Sequence, residues 1–212
     1  MGHSIHNQCL NSDNNSAFCD QKQKSYAVVA NDRHPNRIAV SKQLELRYYR
    51  SEDIARIFES YTGDLSSAKY LARRPHTEVE QTETMLQNLS IPESMALTGK
   101  CIWVVDAISE GEGAIGLVTI VNDNDSMAVH FGIGRPYRGR GYAAEALLLT
   151  AQYLLATGQA TSVNSFTDVE NVVAQMALEK AGFIYTTRTD KFYQAPQMNG
   201  EYRDVFHYKF RA

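Results

Sequence analysis

The pattern of apolar and polar positions divides the chain near residue 43. Residues 1–42 are rich in Asn, Gln, Ser and Asp and show little periodicity, apart from one apolar run, Tyr26-Ala27-Val28-Val29-Ala30. The expectation there is a flexible or loosely docked extension with one short strand at 26–30. From Leu44 the signals sharpen. Leu44 to Tyr49 alternates like a strand. Ser51 is placed to cap a helix whose apolar residues Ile54, Ile57, Phe58 and Tyr61 recur at i, i+3, i+4 and i+7. Thr77-Glu78-Val79-Glu80 has capping-box form and opens a helix to about Leu89. Strand-like runs follow at 101–108, 114–121 and 127–134, the last two joined by the hairpin-loop residues 122–126. A long apolar helix is predicted over 142–156 and a strand near 161–168. A further helix, from about Asn171 to Ala181, stops at Gly182 with Phe183 behind it. Strands at 183–190 and 202–210, separated by the turn-prone Gln197-Met198-Asn199-Gly200, close the chain.

The order β-α-α-β-β-β-α-β-α-β-β implies an α+β fold with a central, mostly antiparallel mixed sheet flanked by helices and one βαβ-type crossover. At 212 residues the chain suits one domain, 43–212, behind the extension. Its hydrophobic content of 43% and charged content of 21% are those of a soluble globular protein, and the net charge of -3 argues against a general nucleic-acid partner. Cys9, Cys19 and Cys101 are odd in number and lack metal-ligand spacing, so reduced thiols in a cytoplasmic protein are expected and no metal. The start, MGHSIHNQCL, has no basic-then-apolar signal pattern, and His6 stands where a myristoylation motif wants Ser or Thr. The longest apolar stretch, Ala146 to Ala156, is too short to span a bilayer.

Chemistry concentrates in Arg138-Gly139-Arg140-Gly141-Tyr142-Ala143, between a strand and the long helix. Glycines there let the backbone approach a ligand closely, and the first turn of a helix presents unpaired N–H groups and a positive dipole end. That combination suits a phosphate or pyrophosphate, with Arg138, Arg140 and nearby Arg135 adding charge. A Walker A loop would end in Gly-Lys-Ser/Thr, which is absent. The run GRGYAA fits the dinucleotide fingerprint Gly-x-Gly-x-x-Ala, and Asp168 ends the next strand. Only 44 residues follow Asp168, too few for the rest of a doubly wound sheet.

Arg138-x-x-Gly141-x-Ala143, within PYRGRGYAAEAL, resembles the coenzyme A loop of GNAT N-acetyltransferases. Asn171 with Leu178-Glu179-Lys180-Ala181-Gly182-Phe183 is similar to a downstream segment of the same family. Asn199-Gly200-Glu201-Tyr202-Arg203-Asp204, and Tyr70-Leu71 with Pro75-His76-Thr77, resemble its ribosomal-protein (RimJ/RimL-like) branch. The resemblance covers about residues 43–212. It implies a GNAT fold and acetyl-CoA as co-substrate, with pantetheine lying like an added strand along Phe131, Gly132, Ile133 and Gly134. It implies that the amides of Gly139, Arg140, Gly141, Tyr142 and Ala143 hold the pyrophosphate, and that Asn171 contacts pantetheine or caps its helix. A backbone N–H near Phe131 would stabilise the oxyanion.

The implied reaction is direct attack of an amine on the thioester. The family often carries a carboxylate base on the strand before the loop; here His130 stands at about that place, as a candidate base or as a histidine packed on the sheet. No side-chain acid is evident for the thiolate, because Leu178 and Ala174 occupy the positions where relatives carry Tyr and Ser; water would then serve. Tyr142 reads as a packing residue, Glu145 as a dipole or backbone partner, Trp103 as core and His207 as structural. Tyr48, Tyr49, Tyr202, Tyr208 and Arg73-Arg74-Pro75-His76 are candidates for the border of the acceptor site. By resemblance the acceptor is a protein N-terminal α-amino group, with a small amine or amine-bearing antibiotic as the alternative and a catalytically silent acyl-CoA-binding module as a different class. A monomer or homodimer is expected.

Overall fold

The computed structural model describes residues 36–124 and 126–211, so the expected strand at 26–30, Cys9 and Cys19 lie outside the described residues. Eight strands form one sheet: β1 (Arg37–Val40), β2 (Glu45–Arg47), β3 (Lys100–Ala107), β4 (Gly113–Asp123), β5 (Ser126–Ile133), β6 (Val163–Asp168), β7 (Phe183–Ala195) and β8 (Glu201–Phe210), in the spatial order β1-β2-β3-β4-β5-β6-β8-β7. Every neighbouring pair is antiparallel except β5 and β6. Those two are parallel because helix α5 (Tyr142–Ala156) crosses between them, as the βαβ reading requires.

Register sorts the side chains onto two faces. Trp103 lies opposite Val118, and Val118 opposite Phe131; with Ile120, Val129 and Ile133 they pack beneath α5. Leu147, Leu149, Ala151 and Leu154 of α5 are buried there, and Tyr153 sets its ring edge-on to Trp103 with centroids 5.5 Å apart. Burying each such leucine contributes roughly 1.5–3 kcal/mol, which is why this helix needs no polar face of its own. On the opposite face, Ile102, Val104 and Leu117 pack against Ile57 of α1 (Asp53–Ile57) and Leu86 of α3 (Val79–Leu89).

Several elements differ from expectation, each for a local reason. The sheet begins ahead of residue 43, because β1 pairs with β2 and Ser41 behind it donates to Glu145 Oε1 at 2.5 Å. Ser51 does not cap the first helix. Asp53 instead accepts from the Arg50 amide and is claimed by Arg47, whose guanidinium also takes Asp106, at 2.6–2.8 Å in every contact. This buried triad fastens β2, α1 and β3 together, and removing one member would strand an uncompensated charge. The expected single helix then breaks into α1, a π-helical turn (Phe58–Thr62) and α2 (Leu65–Ala68), capped by Asp64 through the Ser67 amide at 2.8 Å. The capping box sits one residue later than predicted: Gln81, not Glu80, reaches back to the amides of Thr77 and Glu78. Short α4 (Ser94–Thr98) had no sequence signal, and β7 continues past 190 to Ala195. Helix α6 (Val172–Lys180) stops before Gly182 as expected, and Phe183 is buried.

Candidate active site

The site begins where two strands part. β5 and β6 pair only at Met127/Val163 and Ala128/Asn164. Ser165 Oγ bridges to the Val129 carbonyl at 2.7 Å, and beyond it His130 to Ile133 pair only with β4. Among the described residues no strand covers that edge, so backbone polar groups face a gap suited to an extended ligand.

At the end of the gap a 3₁₀ turn (Arg135–Tyr137) leads into the glycine loop, and Gly139 and Gly141 adopt φ of +81° and +86°. These left-handed conformations are the reason the positions are glycine. No side chain caps α5, whose first amides therefore point toward the loop's open side. A Cβ built on Gly139 would meet nothing within 4 Å. Backbone, gap and helix end thus fit a thioester-bearing chain that ends in a pyrophosphate.

The loop arginines have partners of their own. Arg138 donates Nε to the Ile133 carbonyl at 3.0 Å and its Nη groups to Ser66 and Ser67, with Asp64 at 3.8 Å. Arg140 pairs with Glu110. Asp64 and Glu110 are thus the acidic partners of the two loop arginines, and Arg140 also lies beside Tyr142 at the start of α5. The cation found over the loop is Lys180, whose Nζ would lie 3.6 Å from a Cβ on Gly141. Lys180 was visible in the sequence only as part of a motif. Tyr142, the first residue of α5, is buried, with its hydroxyl beside Arg140 and Glu110. Asn171 caps α6 by accepting the Ala174 amide at 3.3 Å, and Leu178 is fully buried.

The other face of the gap is aromatic. His130 packs edge-on against Phe166 at 4.7 Å between ring centroids; Phe166 meets Phe192 at 4.9 Å, and Phe192 meets His207 at 5.2 Å. Burial pushes the His130 imidazole down to about 4, with the charge of Lys100 adding to the effect. The ring is therefore neutral at physiological pH, and a weaker base than free imidazole. Gly132 lies one step along the same face, and a Cβ there would fall 2.1 Å from the Tyr61 ring and hydroxyl. The π-helical turn delivers Tyr61 onto this bare stretch of strand, a use typical of such insertions near functional sites. Burial raises the Tyr61 phenol's pKa, opposed by the charges of Arg73 and Arg138. Sequence periodicity had marked Tyr61 only as an apolar helix position.

Other singled-out residues have settled partners. Asp168 is filled by Arg203, Tyr193 and the Glu170 amide, and holds its carboxyl below the usual range despite burial. Tyr193 also donates to the Tyr70 carbonyl at 3.1 Å, strapping the segment after α2 to β7. His76 Nδ1 meets Thr82 at 2.8 Å, and His207 Nε2 meets Thr189 at 3.0 Å. Burial pushes the Tyr48 phenol up to about 12. Tyr208 is buried and Tyr202 is exposed. Among the described residues no helix is long and apolar enough to cross a membrane, and no group of three metal-ligating side chains occurs.

The family model of the acetyltransferase (GNAT) domain matches residues 43–184. An uncharacterized N-acetyltransferase of Bacillus licheniformis, p20, is 24% identical over 143 residues, covering 68% of this chain and 80% of that protein. The microcin self-immunity acetyltransferase MccE, solved with acetyl-CoA and AMP, superposes with a TM-score of 0.72 at 16% identity, over 84% of this chain and 98% of that one. RimL, a ribosomal alpha-N-protein acetyltransferase solved with coenzyme A, gives 0.68 at 15% identity, over 80% and 94%. At these identities the structural likeness is one of fold.

Proposed function

The chain belongs to the GNAT acetyltransferase family, and from that premise we propose that its acceptor is a protein N-terminal α-amino group. The enzyme is an acetyl-CoA-dependent N-acetyltransferase. In this reading Phe131 to Gly134 bond pantetheine along the parted edge of β5. The amides of Gly139 to Ala143 hold the pyrophosphate with Lys180 beside them. Arg138 works through its bonds to Ile133 and α2, fixing the loop against the strand. Asn171 sets the start of α6 at the far wall of the gap.

The amine attacks the thioester carbonyl, whose oxygen gains charge and is met by a β5 amide; the nitrogen gives up a proton to water, the C–S bond breaks as the carbonyl re-forms, and the departing thiolate takes a proton from water. The attacking nitrogen must first be neutral. Here the observation that favours an α-amine is His130, neutral, packed on Phe166 and weakly basic. Such a site orients an amine but does little to strip its proton. It therefore suits amines that lose the proton themselves. With a pKa near 7.8, roughly a third of an α-amine is neutral at pH 7.5, against roughly one part in a thousand for a lysine side chain near 10.4. The turn at Asn199-Gly200 ahead of Asp204, which resembles the ribosomal-protein branch, points the same way.

The test is coenzyme A release at pH 7.5 with matched substrates: a peptide with a free α-amine, an Nα-blocked peptide carrying one lysine, and a linear polyamine. Turnover of the first alone is expected. Equal or better rates with the others overturn the acceptor assignment. Saturable acetyl-CoA binding with no turnover on any amine would instead support a silent binding module, which the buried Leu178 and Ala174 at the acid positions would then explain.

A further inference from the structure

We propose that Arg73 is an anion anchor in the acceptor site, so that preferred acceptors carry a carboxylate close to the reacting amine. The inference rests on the acceptor lying on the face of β5 that bears His130 and Gly132. Three groups form a contiguous chain there. Gly132 receives the Tyr61 ring on its bare Cα, and the Arg73 guanidinium carbon stands 5.9 Å from the centre of that ring. Arg73 is half-buried on the segment after α2. Nη1 donates to the carbonyls of Thr62 and Arg74 at 3.4 and 3.1 Å, and the guanidinium also lies in hydrogen-bonding contact with the Tyr61 hydroxyl. Among the described residues no carboxylate lies within ion-pair distance of it, whereas Arg138 and Arg203 nearby are both paired.

The carboxylates around the site are committed. Asp64 serves Ser66, Ser67 and Arg138, and Asp168 serves Arg203 and Tyr193. Glu170 is taken by Arg203 at 2.9 Å. Lys100 adds positive potential at His130. A guanidinium with five N–H donors, a tyrosine beside it and no carboxylate partner among the described residues is matched in shape and charge to a carboxylate. A second ammonium entering here would meet the charge of Arg73. An acceptor whose amine lies beside the Tyr61 ring would have Arg73 on the other side of that ring, in reach of a side chain near its N-terminus.

The experiment compares kcat/KM for peptides differing only at position two, as Glu, Gln or Lys, in wild type, Arg73→Gln and Arg73→Lys. The same enzymes are offered 4-aminobutyrate and butylamine. The expected order is Glu above Gln above Lys, with about tenfold between Glu and Gln, shrinking at high salt. Arg73→Gln should erase the Glu/Gln difference and Arg73→Lys should keep part of it, with acetyl-CoA affinity and melting temperature unchanged in both. A Glu/Gln ratio that survives in Arg73→Gln, or a preference for the Lys peptide, overturns the anchor. If peptides fail altogether but 4-aminobutyrate outperforms butylamine only when Arg73 is present, the anchor stands and the α-amine reading falls. If neither pair shows an Arg73-dependent preference, the anchor is wrong.

Discussion

The two sides of the β5–β6 gap are made from different materials. The side we assign to the donor is backbone: a strand edge that no described strand covers, glycines in the left-handed region and the start of α5, which no described side chain caps. The side we assign to the acceptor is side chain: Tyr61 from a π-turn, Arg73 from a loop, His130 from β5, Phe166 from β6, Phe192 from β7 and His207 from β8. A backbone site is set by chain conformation, so it survives wide change in sequence while holding one ligand. A side-chain site is rewritten by single substitutions. The donor is accordingly a property of the family, and the acceptor a property of this chain.

The sharpest way to break that contrast is Gly141→Asp. It forces a side chain into φ near +86°, brings a negative charge to the helix end and neutralises Lys180. Acetyl-CoA binding by calorimetry should fall below detection, since the strain alone costs about 1 kcal/mol and the lost charge complementarity more. Unchanged affinity would remove the loop from the donor site. A smaller and opposite signature is expected from Gly132→Ala. Its methyl would collide with Tyr61 and push the ring away. The acceptor KM should then rise by about tenfold or more while acetyl-CoA affinity holds, a loss on the order of the 1–3 kcal/mol typical of overpacking. Equal damage to both substrates would mean the two sides are not separable.

The third prediction concerns protons. The native pKa of His130 lies below its ordinary 6.5, so the unfolded chain binds a proton first as pH falls. Stability from this group is complete above pH 6.5 and is lost progressively from there down to about pH 4, on the order of 3 kcal/mol in all. Denaturation midpoints of wild type and His130→Asn should therefore converge with acidification. The same neutrality predicts that the rate above pH 6 follows the acceptor amine's own ionisation, not that of His130. A wild-type activity limb near 6–7 that disappears in His130→Asn would restore the histidine as a full base.

Legibility followed the same division. Residues 142–156 were readable as a helix because its apolar run has no competing periodicity, and the loop before it because the required glycines sit at fixed spacing. The parallel β5–β6 pair followed from the helix between them. The first helix was misread because the 3.6-residue pattern of Ile54, Ile57, Phe58 and Tyr61 cannot reveal one extra residue per turn. Nor could Ser51 show that Asp53, two residues on, would be held by Arg47 and Asp106. The partners of the loop arginines were hidden for a related reason: Asp64 and Glu110, which pair with Arg138 and Arg140, are remote in the chain, and Lys180 arrives from α6.

The two-residue contact between β5 and β6 has a mechanical meaning as well. It makes the eight-stranded sheet two plates, five strands on one side and three on the other, joined by a short weld, the side-chain bonds of Asn164 and Ser165 and the helices above. Under load or heat such a sheet yields first along that seam. A ligand that bonds across it acts as a splint, stiffening the plates into a single panel for as long as it stays bound.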